Sequence, residues 1–207
     1  MRLATLFATL AAVLALAPVR AGEEIALFNG KNMDGWKHPD FSGSGPCGVE
    51  NGVLVIGQGE VLSGLVYTNA TPTLDYEIEA EARRVLGSDF FFALTAPHTT
   101  NSFTLVCGGW GGNVTGISSL NHLDASENDT ANVVKYEDNR WYSIRMRVQA
   151  KTITVWIDGD KLIEADLEGR HIGMRPGDIE KCMPLGLSTY QSKGEVRKLV
   201  MRKLAKP

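Results

Sequence analysis

The chain has 207 residues, with 21 lysines and arginines against 24 aspartates and glutamates, and three cysteines. Removal of an N-terminal leader that carries Arg2 and Arg20 would take the basic residues from 21 to 19 against 24 acidic ones, so the net charge would go from −3 to −5. This mild acidity argues against nucleic acid or an anionic membrane as a partner, and the remaining length suits one domain with a sizeable core.

The N-terminus has the pattern of a secretory signal peptide. A positive start at Arg2 precedes an apolar run over residues 3–17, and small residues lie at positions −3 and −1 of a cleavage site before Gly22. We therefore expect residues 1–21 to be removed and residues 22–207 to form a single secreted or periplasmic domain. The apolar run is too short to favour a membrane span, and an uncleaved anchor helix is the alternative.

The first part of this domain reads as short strands separated by turns. The Asn51-Gly52 pair between strand-like residues predicts a hairpin over residues 49–56. Another short strand is expected at residues 64–68. Residues 74–83 alternate strictly between small or apolar and charged side chains, which is typical of a half-buried strand whose acidic side faces solvent.

The middle of the chain contains the segment that stands out. Strands are expected at residues 89–94 and 103–107, on either side of a loop at residues 97–102. Residues 104–129 then break into glycines around Trp110 and end in a polar run. A long irregular, glycine-rich segment inside a β domain is a common place for binding or chemistry.

The last part of the domain supplies further strands and one clear hairpin, at the Asp158-Gly159 pair. Residues 168–184 are rich in Gly, Pro and charges and are expected to form a loop. Strands are expected at residues 141–148, 152–157, 161–167, 185–190 and 195–204. Because no segment of the domain has sustained helical periodicity, the sequence predicts an all-β fold, a two-sheet antiparallel jelly-roll sandwich.

The three cysteines do not form a disulfide-dense framework or a CxxC metal site. Cys107 is in phase with Phe103 and Leu105 and is expected to be buried. Cys47 and Cys182 lie in loop-like sequence and could pair in an oxidising compartment. Their spacing alone does not decide between a disulfide and two free thiols.

Six segments, taken in order, resemble a known family. They are LFNGKNMDGW, VENGVLVIGQG, GLVYTN, LDYEIEAEARR, RWYSIRMRVQAKTITVWIDG and PLGLSTYQS. Together they are similar to the DUF1080 family, also called the 3-keto-disaccharide (3-keto-glycoside) hydrolase domain, over essentially all of residues 22–207. This resemblance implies a concanavalin A-like, laminin-G-like sandwich of two antiparallel sheets.

The resemblance also implies chemistry on sugars whose C3 hydroxyl has become a ketone. The ketone acidifies the C2 proton, and its removal gives an enolate that can expel the C1 substituent before water adds. Such a route needs a base at C2, an acid at the leaving oxygen and a cationic or hydrogen-bonding group at the enolate oxygen.

The sequence departs from the family's usual polar pattern at three places. Residues 88–90 read Ser-Asp-Phe where members commonly carry Asn-Ser-Gly, and residues 103–106 read Phe-Thr-Leu-Val instead of Tyr-Glu-x-Gln. Residues 186–190 read Gly-Leu-Ser-Thr-Tyr where a Gly-Leu-Gln-x-His pattern is usual. The glycine-rich segment therefore marks a divergent branch that has either rebuilt the site or lost it.

Three carboxylates are the candidates for proton transfer. Asp89 lies beside phenylalanines, and its pKa would be raised by burial there, which suits an acid or a base. The alternative for Asp89 is a turn residue at the start of a strand. Asp124 and Glu127, in the polar run, are the candidates for the second group, provided that they lie near Asp89.

Five side chains are candidates for binding the sugar. Trp110 stands among glycines that let a ligand approach the backbone, and Tyr190 is a second aromatic candidate. Trp156 is out of phase with the core-facing residues of its strand, so it either lines a sugar cleft or packs under a loop. His122 could bind an enolate oxygen or simply be exposed, and Arg145 could bind a carbonyl or belong to a solvated face.

No cofactor or metal is expected, because no His or Cys spacing supports zinc. Asp124, Ser126, Asn128 and Asp129 resemble the first part of a calcium loop. The central glycine and terminal glutamate of such a loop are absent, since Lys135 occupies the last position. A bound calcium remains the alternative to a solvated acidic loop.

We therefore expect a secreted carbohydrate-active domain that cleaves glycosidic bonds of 3-keto sugars, with its site on the sheet face bordered by residues 104–129. The first alternative is a non-catalytic carbohydrate-binding module, which the departures from the family pattern favour. The second is a laminin-G-like interaction domain.

Overall fold

The computed structural model describes residues 22–205. The expected signal peptide, residues 1–21, lies outside the described residues. Within this range the chain forms fifteen strands, numbered in chain order. They are β1 (Glu24–Ala26), β2 (Trp36–Lys37), β3 (Cys47–Glu50), β4 (Val53–Ile56), β5 (Leu62–Tyr67), β6 (Tyr76–Gly87), β7 (Phe92–His98), β8 (Asn101–Gly108), β9 (Val114–Ser118), β10 (Asn132–Val133), β11 (Tyr142–Val148), β12 (Thr152–Ile157), β13 (Asp160–Asp166), β14 (Gly186–Tyr190) and β15 (Ser192–Lys203).

Two antiparallel sheets stack to make a sandwich. Sheet A has the order β13-β12-β11-β6-β15-β4-β3, and β1 also pairs with β15. Sheet B has the order β10-β9-β8-β7-β14-β5-β2. The predicted all-β jelly-roll sandwich is confirmed.

The core lies between the two sheets because, along the strands of both, inward-facing apolar side chains alternate with outward-facing ones. On β6, Tyr76 and Ile78 are buried against sheet B, as their period-two spacing predicts. On β8, Phe103, Leu105 and Cys107 are fully buried in the same core. The outer faces of the two sheets therefore lie on opposite sides of the molecule.

The acidic side of β6 is a ladder of ion pairs. Strand β6 runs between β11 and β15, which present arginines and lysines beside its glutamates. Glu79 pairs with Lys198 at 2.7 Å and with Arg202 at 2.6 Å. The prediction of a simply solvated acidic face is therefore incomplete, since neighbouring strands supply the counter-charges.

Two short hairpins follow the sequence prediction. Asn51 and Gly52 have φ of 51° and 78° and join β3 to β4, and Asp158 and Gly159 have φ of 51° and 91° and join β12 to β13. Both central residues of such a turn need positive φ, and Asn, Asp and Gly tolerate it best.

The expected loop at residues 97–102 is wrong. Strand β7 continues through Pro97 to His98, and Ser102 already belongs to β8, so a two-residue turn at Thr99 and Thr100 joins the strands. Pro97 is tolerated although it has no N–H to donate to the ladder. A proline at this position removes one donor from the ladder without ending the strand.

The glycine-rich segment is also more regular than expected. Strand β8 turns at Gly109–Gly112 and returns as β9, which the sequence did not predict. The irregular part is confined to residues 119–131. Strand β9 was not predicted because its sequence, VTGIS, has a central glycine and no clear alternation of apolar and polar side chains.

All three cysteines are free thiols, so the structure contains no disulfide between Cys47 and Cys182. Cys107 is buried as predicted, and burial raises its pKa to about 12. Cys182 is also buried, with its pKa raised to about 12 for the same reason. Among residues 22–205, no helix has the length and apolar character needed to cross a membrane.

Candidate functional site

A cleft of about 340 Å³ lies on the outer face of sheet B. Its floor comes from side chains of β5, β8, β9 and β14 that alternate with core residues. Its walls come from three connecting segments. The lining residues are Leu62, Asp89, Phe90, Thr104, Val106, Trp110, Ser118, Arg175, Pro176, Asp178, Ile179 and Tyr190.

The 119–131 loop supplies no lining residue, but it rests directly on β9 beside the cleft. A Cβ at Gly116 would lie 2.7 Å from the carbonyl oxygen of Ala125, so only glycine lets the loop approach this closely. Asn128 holds the loop, since its amide group donates to the carbonyl oxygen of Ile117 at 2.8 Å. Asp124 is thereby placed above the end of β9.

One wall is residues 173–182, called the strap here, which runs from the end of β9 toward β5 and β14. Gly173 and Ser119 exchange two backbone hydrogen bonds of 3.1 and 3.2 Å at one end of the strap. At the other end a short 3-10 helix, Asp178–Cys182, packs on β5 and β14. The strap carries Arg175 and Ile179 to the cleft.

Arg175 forms an ion pair at one end of the cleft. Its guanidinium lies 3.4 Å from Oδ2 of Asp124, whose Oδ1 accepts a 3.3 Å hydrogen bond from the Ser118 hydroxyl. The Arg175 side chain is 59% exposed and that of Asp124 is 20% exposed. The guanidinium is thus open to a ligand, while the carboxylate is partly shielded.

Asp89 organises the turn that presents Trp110. Its Oδ2 accepts the Gly111 N–H at 3.0 Å and its Oδ1 accepts the Phe90 N–H at 2.8 Å. Trp110 has φ of 50° and is 41% exposed, between left-handed glycines at Gly108 and Gly111. Such a backbone costs free energy for a bulky residue, and the Asp89 carboxylate offsets part of that cost.

The end of the cleft beside Trp110 is aromatic and aliphatic. The Phe90 and Tyr190 rings lie 5.7 Å apart, and the Tyr190 N–H donates to the Phe90 carbonyl at 3.0 Å. Leu62 is the direct partner of Tyr190 across β5 and β14. Phe90 also packs on Ala93 and Val106.

Three of the sequence candidates, Asp89, Trp110 and Tyr190, line this one cleft. Asp124 adjoins it through Ser118 and Arg175. The catalytic and binding roles of these residues stay predictions.

Arg175 was missed by the sequence reasoning because residues 168–184 were read only as a loop. A signal was present, since an arginine directly before Pro176-Gly177 is a polar group on a turn. Thr104 and Ser118 gave no signal, because a hydroxyl on an outward strand position is common.

Glu127 and His122 belong to the same loop as Asp124 but do not line the cleft. Glu127 is exposed, and its carboxylate accepts the Asp124 N–H at 3.3 Å. His122 has φ of 65°, and its ring stacks on that of His171 at 4.1 Å. The turn at residues 121–122 thus packs the His122 ring against the ring of His171, at the start of the 171–173 segment.

Arg145 and Trp156 lie on the outer face of sheet A, on the far side of the core. The Arg145 guanidinium lies 3.8 Å from the centre of the Trp156 ring, and both Arg145 and Arg147 pair with Glu77. The sequence correctly gave these side chains an outward direction. Their sheet, however, is not the one that carries the cleft.

No group of three or more His, Cys, Asp or Glu within residues 22–205 is arranged to hold a metal ion. In the segment that resembles a calcium loop, Asp124 pairs with Arg175 and Asp129 with Arg170. The Asn128 oxygen accepts the Thr130 N–H at 3.0 Å. The oxygens that would ligate calcium therefore have other partners.

Comparison with known families and structures agrees with this architecture. Residues 23–202 match the family described as "3-keto-alpha-glucoside-1,2-lyase-like domain". No curated protein matches the chain in sequence.

Solved structures show the same fold at low identity. A proposed glycosyl hydrolase from Parabacteroides distasonis ATCC 8503 has 13% identity and a TM-score of 0.55, over 88% of this chain and 94% of its own. The Crh5 transglycosylase in complex with NAG has 11% identity and a TM-score of 0.58, over 91% and 86%. The Emp46p carbohydrate recognition domain has 12% identity and a TM-score of 0.54, over 84% and 91%.

Proposed function

Because this chain belongs to the 3-keto-alpha-glucoside-1,2-lyase-like family, we propose that it cleaves glycosidic bonds of 3-keto sugars in the cleft of sheet B. The observation that carries the proposal is the pairing of Arg175 with Asp124 at one end of a cleft that also has aromatic walls. The reaction needs a cation and a base side by side, and this ion pair supplies both.

The proposed reaction is an elimination next to the ketone. The C2–H bond breaks, the proton goes to a carboxylate, and the electron pair forms an enolate with the C3 oxygen. The C1–O bond then breaks as the C1=C2 bond forms, the ketone is restored and the aglycone leaves with its oxygen. Water adds to the unsaturated sugar if the product is hydrolysed.

Arg175 and Asp124 fit the two ends of the enolate. C2 and the C3 oxygen are close together in the substrate, and the guanidinium and carboxylate are 3.4 Å apart. Arg175 would stabilise the developing charge on the C3 oxygen, and Asp124 would take the C2 proton. The Ser118 hydroxyl, which donates to Asp124, keeps the carboxylate oriented toward the cleft end.

The test is Asp124→Asn, assayed with an aryl 3-keto-α-glucoside. We expect kcat to fall by about 10²–10⁴-fold, as for loss of a general base, while substrate binding persists. Asp160→Asn, the same change on edge strand β13 of sheet A, should leave kcat unchanged. Exchange of the C2 proton in D₂O should stop in Asp124→Asn alone; if exchange continues at the wild-type rate, Asp124 is not the base.

A non-catalytic carbohydrate-binding module is the second candidate. The observation in its favour is that both Asp89 oxygens are used by backbone N–H groups, so this carboxylate serves the Trp110 turn. A binding module would retain 3-keto-glucosides in calorimetry without releasing an aglycone. Its affinity for the sugar would fall in Trp110→Ala and would be unchanged in Asp124→Asn.

We also propose that the leader sends the domain out of the cytoplasm, on the strength of the charged start, the apolar run and the small residues before Gly22. Expression of the full chain with its leader should give an exported protein whose N-terminal residue is Gly22. An intact Met1 on the exported protein would support the anchor-helix alternative.

A further inference from the structure

The two ends of the cleft differ in chemistry along strand β8. Thr104 and Ser118, which are cross-strand partners, lie at the end that carries Arg175. Val106 follows on β8, and the Trp110 turn closes the other end. At ~3.4 Å per residue, Thr104 and Gly108 are about 14 Å apart, which leaves room for two rings in succession.

The end beside Trp110 offers apolar surface almost throughout. Leu62 and Tyr190 are cross-strand partners on β5 and β14, the Phe90 ring lies 5.7 Å from that of Tyr190 in the connection before β7, and Ile179 reaches the same cleft from the strap. Trp110 is 41% exposed at the rim. Leu62 and Ile179 give a sugar ring neither stacking nor hydrogen bonds, and the rings of Phe90 and Tyr190 pack equally well on an apolar ring, so this surface suits an apolar ring.

The polar groups at this end are already engaged. Asp89 accepts two backbone N–H groups, and Asp178 pairs with Lys181 at 2.8 Å. The Tyr190 hydroxyl is left to face a ligand. A second sugar in this position would bury several hydroxyl groups with too few partners, and each unpaired buried hydroxyl weakens binding.

The same contacts bear on the leaving group. Both Asp89 oxygens accept backbone N–H groups of the Trp110 turn and its neighbour, so this carboxyl group holds the turn and is not placed to donate a proton to the departing oxygen. A sugar or alkyl alcohol is a weak acid and leaves slowly without a proton donor. A phenol, with a pKa of about 10 like the tyrosine side chain, leaves readily as its anion.

We propose that the natural substrates are 3-keto-glycosides with a phenolic aglycone, held by Leu62, Phe90, Trp110, Ile179 and Tyr190. This inference rests on the function proposed above. In the elimination the C1–O bond breaks, its electron pair departs with the phenolate, and the C2 proton stays on Asp124 until solvent removes it.

Three 3-keto-α-glucosides, with phenyl, cyclohexyl and glucosyl aglycones, are compared. They separate the effect of an apolar aglycone on binding from the effect of its leaving ability on the rate. We expect phenyl and cyclohexyl substrates to share a KM at least about tenfold below that of the glucosyl substrate, because both bury an apolar ring. We expect kcat to be highest for phenyl alone. Equal KM and kcat for all three would overturn the inference and leave the proposed function standing.

Two variants test the subsite itself. Phe90→Ala and Leu62→Ser should each raise KM for the phenyl and cyclohexyl substrates several-fold and leave the glucosyl KM unchanged. A uniform rise for all three substrates in both variants would contradict an aglycone subsite.

If no substrate turns over, the proposed function fails, and calorimetry with the same compounds decides the subsite separately. Tighter binding of the phenyl compound, lost in Phe90→Ala, would support the apolar subsite in a binding protein. Equal affinities for phenyl and glucosyl compounds would overturn the subsite as well.

Discussion

At the scale of single residues, the absence of a side chain at Gly116 decides where the loop that carries Asp124 lies. The 119–131 loop lies directly on β9 because nothing projects from this position, and the loop places Asp124 beside Arg175. The sequence shows five glycines close together but not which of them is a contact. That distinction depends on what lies above each one.

Gly116→Val tests this contact. The new Cβ would lie 2.7 Å from the Ala125 carbonyl oxygen and 3.1 Å from its Cβ, so we expect a loss of about 1–3 kcal/mol in the free energy of unfolding and weaker ligand binding. Gly48→Val, in strand β3 with nothing within 4 Å of its Cβ, is the matched control. Equal denaturation midpoints for the two variants would show that the loop is not held this way.

Asp89 is a second position where the structure refines the sequence reading. The sequence leaves open whether Asp89 is an acid or base beside phenylalanines or a turn residue at the start of a strand. Its contacts are two backbone N–H groups, those of Gly111 in the Trp110 turn and of its neighbour Phe90. A carboxylate that accepts two N–H groups can hold a turn. No sequence pattern reveals that Gly111, 22 positions away, is its partner.

Asp89→Ala should therefore act on Trp110. With both N–H groups unpaired, we expect a loss of about 1–3 kcal/mol in stability and a change in the exposure of Trp110. The readout is acrylamide quenching in a background in which the other three tryptophans are phenylalanine. Quenching that matches the parent protein would indicate that the turn does not need the carboxylate.

At the scale of elements, the charged strand β6 shows what alternation does and does not determine. The period of two fixes which side chains face out. Their partners depend on β11 and β15, which are about 60 and 120 residues further along the chain in sequence. The result is a ladder in which Glu79 lies between Lys198 and Arg202.

The ladder predicts a pH dependence of stability. Burial alone would raise the pKa of Glu79, but Lys198 and Arg202 together hold it below its usual value. The stabilisation is therefore present above the pKa of the unfolded chain and is lost as the pH falls through the lower folded value. Glu79→Gln should cost roughly 0.2–1 kcal/mol at neutral pH and low salt.

In urea denaturation, the difference between wild type and Glu79→Gln should vanish in acid. Glu164→Gln, whose exposed partner Lys161 lies only three residues away, should show a smaller difference at neutral pH. A Glu79→Gln effect that is constant from neutral to acidic pH would rule out a charge-based origin.

At the scale of the whole molecule, the sandwich buries two of the thiols. Cys107 and Cys182 have pKa values raised to about 12 by burial, and the pKa of Cys47 is also raised, first by burial. Thiolates are the reactive form, so we expect native protein to react slowly with a thiol reagent near neutral pH. In denaturant without reductant, three thiols should react.

That titration also decides the disulfide alternative. Protein exported to an oxidising compartment and then denatured would give one reactive thiol if Cys47 and Cys182 were joined. Three reactive thiols would agree with the free cysteines of the structure.

Apart from the family, which rests on the resemblance of six sequence segments, the sequence by itself determined the fold class, the two short hairpins and the outward and inward sides of the strands. These properties depend on local backbone preference and on period-two alternation, which are written in neighbouring residues. Which sheet carries the cleft was decided only by the tertiary structure, because alternation marks two faces of every strand without saying which sheet it joins. For that reason Trp156 and Trp110, both candidates for sugar binding in the sequence, lie on opposite sides of the core, and Arg175 meets Asp124 across 51 residues of chain.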